Sequence, residues 1–122
     1  MESPYKGKTG LRRICNALGY SLSGLAAAYR NEDAFRQEVL MAVILVPLAF
    51  YLGEGALARA LMIASVMFVI IVELLNSAVE ATVDRISLEN HSLAKRAKDI
   101  GSAAVLLSLI NLVVVWGLLI FA

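Results

Sequence analysis

Apolar residues along this chain follow two patterns, first periodic and then nearly continuous. Leu11, Ile14, Leu18, Leu22, Leu25 and Tyr29 are spaced by 3, 4, 4, 3 and 4, which puts them on one stripe of an α-helix over about residues 10–30. Arg12, Arg13, Asn16, Ser23 and Arg30 take the other faces, so this helix is expected to lie along a membrane surface rather than to cross the bilayer. Three long apolar stretches follow, at about 35–52, 56–83 and 100–122. Each approaches or exceeds the roughly 20 residues that cross a hydrocarbon core. Pro47 interrupts the first, at a kink that a membrane helix tolerates. Gly53-Glu54-Gly55 marks the turn into the second, and Asn31 is expected to cap the first, with Glu32 and Asp33 in its opening turn. The expected fold class is an all-α membrane protein with an N-terminal amphipathic surface helix plus three transmembrane helices, in a single membrane domain over 1–122.

Composition narrows the function classes. The chain has 122 residues, is 60% hydrophobic, and carries 17% charged residues where a soluble domain has about 25%. Its mean hydropathy is +0.76. That leaves room for a few membrane helices but not for a soluble catalytic domain as well. A net charge of +1, with the basic residues dispersed, argues against nucleic acid as a partner. The lone Cys15 can form no internal disulfide and no cysteine-based metal site. Residues 1–10 are polar and lack the pattern of a secretory signal, so the N-terminus is expected to stay in the cytosol.

Charge also sets an orientation. Lys6, Lys8, Arg12, Arg13, Arg30 and Arg36 precede or begin the first span, and Arg85, Lys95, Arg96 and Lys98 separate the second from the third. Between the first and second stands only Arg59. The positive-inside rule then puts the N-terminus and the 84–99 connection in the cytosol and the C-terminus outside.

One feature of the second span resists a purely structural reading. Glu73, Asn76, Glu80 and Asp84 share a stripe, with Ser77 beside them, on a segment that is otherwise apolar from Leu61 to Val72 except for Ser65. A charge at the centre of a membrane helix costs roughly 2.5–3.5 kcal/mol on insertion scales, and such residues usually mark function. Counted from Ala56 at the outer surface, Glu73 lies about 25 Å down a straight helix and Glu80 about 36 Å down. One carboxylate thus faces an apolar setting just inside the inner boundary, which suits a general base. The other meets the interface, where it suits a hard cation such as Mg²⁺. Glu32 and Glu38 bracket the start of the first span at the same level, and Lys95, Asp99 and Ser102 share a face at the start of the third, with Lys98 beside them. Lysines beside carboxylates form the charge arrangement that phosphoryl transfer needs, although no Walker-type phosphate loop is present. A proton- or cation-coupled transporter subunit is the competing class. It would place its carboxylate near the midplane with a path to both sides, whereas here the polar groups gather in the cytosolic third. The geometry favours an enzyme joining a cytosolic reactant to a lipid. Elsewhere, Trp116 reads as an interfacial anchor, Asn111 as a hydrogen-bonding partner for a neighbouring helix, and His91 as a solvated loop residue.

The stretch Glu73-Leu-Leu-Asn76-Ser-Ala-Val-Glu80-Ala-Thr-Val-Asp84-Arg resembles the signature of the bacterial integral-membrane diacylglycerol kinases. Asn31-Glu32-Asp-Ala-Phe35-Arg36-Gln37-Glu38 and Ala94-Lys-Arg-Ala-Lys98-Asp99-Ile-Gly101-Ser102-Ala-Ala do so as well, in family order, and the resemblance runs from about Arg12 to Trp116. It implies transfer of the γ-phosphate of Mg·ATP to diacylglycerol, giving phosphatidic acid, by an inner-membrane homotrimer with active sites shared between subunits. By the same resemblance Glu73 is the general base, Glu32 and Glu80 are Mg²⁺ ligands, and Asn76 supports them. ATP would meet Arg13, Tyr20, Glu32, Asn76, Glu80, Glu89, Asn90, His91, Lys98 and Asp99. The lipid would meet Arg13, Glu38, Glu73, Ser102 and Trp116. A related branch that phosphorylates undecaprenol shares the Glu-x-x-Asn-x-x-x-Glu core, but the fuller match at Phe35-Arg-Gln-Glu38 and Gly101-Ser-Ala-Ala favours diacylglycerol.

Overall fold

A computed structural model describes residues 9–86 and 92–122. It contains four helices, α1 (Leu11–Asn31), α2 (Asp33–Leu52), α3 (Gly55–Ile86) and α4 (Ser92–Phe121), and no strand among the described residues. The last three are long and apolar enough to cross a membrane, which is the fold class expected from the sequence. At 32 residues, α3 is about 48 Å long if straight, more than the hydrocarbon core requires. Its polar C-terminal turns therefore reach the boundary.

α3 packs between α2 and α4. The core is built from Ala49 of α2, Met62, Val66 and Val69 of α3, and Leu112 and Trp116 of α4. The buried positions of α3 run Met62, Ser65, Val66, Val69, Glu73, Asn76 and Ser77. Helical spacing puts them on one side, so the apolar seam against the neighbours continues without a break into the acidic stripe.

Trp116 locks α4 onto this seam. Its indole Nε1 donates to Ser65 Oγ at 3.0 Å and lies 3.3 Å from the Met62 carbonyl oxygen, while Ser65 Oγ donates to that same carbonyl at 2.7 Å. The side chain is only 8% exposed and turned inward, away from the outward position of an interfacial anchor. An indole N–H surrounded by lipid tails would go unsatisfied, and the Ser65 hydroxyl offers an acceptor. Asn111, by contrast, lies on an exposed face of α4.

The junctions have local causes. Asn31 is the last residue of α1, its Nδ2 donating to the Ala27 carbonyl at 2.8 Å, and Glu32, in extended backbone, takes the N-cap position of α2. Asn31 therefore does not cap α2: its amide is spent within its own helix, and Glu32 at the N-cap position makes no side-chain capping hydrogen bond. Arg36 reaches back to the Tyr29 and Arg30 carbonyls at 2.7 and 3.0 Å and pairs with Asp33. It thus satisfies acceptors that the end of α1 would leave open. At the other end of α2, Gly55 opens α3 at φ +89, which an L-residue adopts only with strain. The helix runs through Pro47 without interruption. Only Ala28 of α1 is buried, and the apolar stripe from Leu11 to Tyr29 is 42–80% exposed, left free to meet lipid.

Trp116→Phe should lower unfolding stability in detergent by about 1 kcal/mol through the lost hydrogen bond. Trp116→Ala should cost about 3–5 kcal/mol, because it also opens a cavity. A Trp116→Phe variant as stable as the wild type would deny the indole N–H any part in the α3–α4 contact.

Candidate active site

The acidic stripe is buried progressively less toward the α3 C-terminus: Glu73, Asn76 and Ser77 are buried, Glu80 is half-buried and Asp84 is exposed. Glu73 is 4% exposed. Asn76 Nδ2 donates to Glu80 Oε1 at 3.2 Å, an i, i+4 contact along one face of the helix. From α2, Glu38 is buried beside the same stripe. The charges that bear on Glu73 come from Glu80 and Glu32, and Glu73 in turn bears on Glu38. Four carboxylates therefore share one neighbourhood, and like charges so placed repel unless a cation joins them or a proton neutralises one.

Several oxygens in this neighbourhood are buried without a hydrogen-bond partner: Glu38 Oε2, Asn76 Oδ1 and Ser77 Oγ. Orphaned acceptors of this kind ask for a ligand, water or ion. The described residues hold no group of three or more His, Cys, Asp or Glu side chains arranged to hold a metal ion. A bound ion would therefore have to complete its coordination with oxygens from elsewhere, as Mg²⁺ does with phosphates and water. The oxygen-only donor set fits that ion.

Cations stand at the edge. Lys98 Nζ pairs with Asp84 Oδ1 at 2.5 Å, joining the end of α3 to the start of α4, and it also interacts with the Glu80 charge. Lys95 pairs with Asp99 at 2.7 Å within α4. Both lysines lie on the polar turns that precede the apolar run from Ile100. The hydrogen bond to Asp84 holds Lys98 above the usual lysine range, and that to Asp99 does the same for Lys95. Both remain charged throughout the neutral range. On the other side of the stripe, a cleft of about 710 Å³ separates α1 from α3, walled by Gly24, Ala28 and Ala81 and carrying Glu32 and Ser77 in its lining. That volume is in the range of small-molecule sites.

The chain thus brings Glu32, Glu38, Glu73, Asn76 and Glu80 together, with Lys98 beside them. Arg13 and Tyr20 are exposed and do not line the cleft, although Ser21, next to Tyr20, does. Ser102 is exposed on α4, Asp99 is engaged with Lys95, and Trp116 is buried far along α4 against Ser65. Glu89, Asn90 and His91 lie outside the described residues. The reading of the sequence placed Ser77 beside the acidic stripe but gave its hydroxyl no role, and it missed the Asp84–Lys98 pair, which opposite charges flanking a short connection foreshadow.

Fold and site together define a helical membrane enzyme whose polar groups gather at one end of its long helices. The sequence profile of the family described as prokaryotic diacylglycerol kinase matches residues 19–120. Over 114 residues the chain is 60% identical to a diacylglycerol kinase of Pseudomonas aeruginosa, covering 93% of each chain. It is 53% identical to one of Escherichia coli K12, again over 93% of each, and 52% identical to one of Haemophilus influenzae over 93% of this chain and 96% of that one. The chain belongs to the prokaryotic diacylglycerol kinase family.

The Asp84–Lys98 pair is largely exposed, so its coupling in a double-mutant cycle of Asp84→Asn and Lys98→Met should be about 0.2–1 kcal/mol and should shrink as salt is raised. A coupling of zero at low salt would mean that the pair does not form in solution.

Proposed function

We propose that this chain transfers the γ-phosphate of ATP to the free hydroxyl of 1,2-diacylglycerol, giving phosphatidic acid and ADP. The observation that carries the reading is the buried Glu73 at the head of the crowded carboxylates, with Asn76, Glu80 and Lys98 beside it, in a chain of this family. Glu73 accepts the proton of the lipid hydroxyl as its oxygen attacks the γ-phosphorus, and the bond to the β-phosphate oxygen breaks. Glu32 and Glu80 would hold a Mg²⁺ ion, which when bound neutralises phosphate charge. Asn76 keeps the Glu80 carboxylate in place through its amide. Lys98, with its ammonium anchored by Asp84, supplies fixed positive charge for the phosphates, while Asp99 and the 89–91 stretch would meet the nucleotide. Glu38 and Ser102 would face the lipid, with Trp116 farther along its chains. Arg13 and Tyr20, exposed and outside the cleft lining in their own chain, would serve a neighbouring subunit, as a homotrimer with shared sites requires.

On this reading the site opens to the cytosol, where ATP is found, with the N-terminus and the 84–99 connection on that side of the inner membrane and the C-terminus in the periplasm. The substrate reaches Glu73 laterally from the bilayer. Most of the rate enhancement comes from positioning and charge neutralisation rather than from covalent chemistry.

Labelled ATP offered to the enzyme in detergent–lipid micelles should label phosphatidic acid, and only with Mg²⁺ present. Label on undecaprenol alone would move the chain to the other lipid, and ion flux without ATP consumption would favour a transporter. Glu73→Gln should still bind nucleotide but turn over at least about 100-fold more slowly, and unchanged turnover would remove Glu73 as the base. Glu80→Gln should need more Mg²⁺ for half-maximal rate; an unaltered Mg²⁺ curve would end its role as a ligand.

A further inference from the structure

Gly101 of α4 faces Asn76 of α3 across the helix interface. A β-carbon built on Gly101 would run into Asn76 Oδ1 and stand 3.2 Å from Asn76 Cγ, and its three nearest neighbours are all atoms of that one side chain. The Asn76 amide is the group that meets Glu80, at 3.2 Å, the long end of the hydrogen-bond range. Its oxygen, on the side toward Gly101, is buried and accepts no hydrogen bond. Shape, not hydrogen bonding, therefore holds that end of the amide.

We propose that Gly101 is a positioning residue for Glu80: by lacking a side chain it admits the Asn76 amide into the α3–α4 interface, in the orientation that hands an N–H to the Glu80 carboxylate. This rests on the reading of Glu80 as a ligand of the nucleotide-bound metal. A methyl group at 101 must displace the amide or push α4 away. The planar amide turns as one unit, so a shift of Oδ1 moves Nδ2 with it, and the bond to Glu80 has no length to spare. Either response takes Nδ2 out of reach and leaves the Glu80 carboxylate free to swing. A glycine serving close helix packing alone makes a different prediction, since its substitution would lower stability without touching metal use. Loss of helix cannot account for an effect either, because alanine favours helix over glycine.

The experiment uses Mn²⁺ as a paramagnetic probe with ATP, reading free Mn²⁺ by electron paramagnetic resonance over the enzyme in lipid–detergent micelles. Gly101→Ala should weaken Mn·ATP binding about tenfold, the loss of one hydrogen bond to a charged group. Gly117→Ala, the same exchange on the same helix at a place where a β-carbon meets nothing within 4 Å, should bind as the wild type does. In an Asn76→Ala background, Gly101→Ala should add no further loss, because the remaining Asn76 β-carbon lies 4.0 Å away, in ordinary contact. Should Gly101→Ala alone fail to fold, the double variant should fold, and that rescue supports the collision. Normal binding by Gly101→Ala, additive losses in the double variant, or no rescue of folding would overturn the proposal. Glu80→Gln separates the two layers. If it weakens binding while Gly101→Ala does not, only the positioning role falls; if it binds normally, the ligand reading falls and takes this inference with it.

Discussion

The contact of α3 with α4 is the constraint on which the rest of the molecule depends. α3 carries Glu73, Asn76 and Ser77 in a helix otherwise fit for lipid, and each of them would be costly facing hydrocarbon. Turning that side inward against α2 and α4 removes the cost, and Met62, Val66 and Val69 on the same side supply the apolar packing that keeps it there. The seam that stabilises the fold and the stripe that carries the chemistry are one continuous surface. A rotation of α3 by even a quarter turn would expose the carboxylates to lipid and bury leucines such as Leu61 and Leu75 in their place.

Two polar links fasten this seam at opposite ends, and they act differently. The Trp116–Ser65–Met62 group is buried among apolar neighbours, and the bulk of the indole adds packing to its hydrogen bonds. Hydrogen bonds between membrane helices contribute about 0.6 kcal/mol on average, so the larger share of that stabilisation comes from the ring itself. At the other end, the Asp84–Lys98 pair is exposed and contributes little to stability. Its effect is placement, fixing an ammonium next to the acidic stripe and shortening the range it can explore.

Within the stripe, charge balance explains the arrangement. Carboxylates from α2 and α3 crowd together, and the only cation set against them from the described contacts is Lys98 at the rim. A phosphate-bound cation is the natural counterpart, which is why the proposed kinase chemistry accounts for residues that structural reasoning alone would count as a liability. Asn76 bridges the two aspects: its amide N–H serves Glu80, and its carbonyl fills the space left by Gly101.

Much of this was legible in the order of residues alone. Hydropathy and helical spacing are local properties, so they set the three long apolar helices, the amphipathic helix before them and the common face of Glu73, Asn76 and Glu80. The charge series around Glu32, Glu38 and Lys98 pointed to phosphate chemistry for the same reason. What periodicity does not contain is the rotation and depth at which one helix meets another. That rotation turned Trp116 inward onto Ser65 rather than outward to the interface, left Asn111 exposed, and set Gly101 against Asn76. It also left Arg13 and Tyr20 exposed and outside the cleft lining in their own chain. Such pairings join residues far apart in sequence, and side-chain packing, which only the assembled helices possess, selects them.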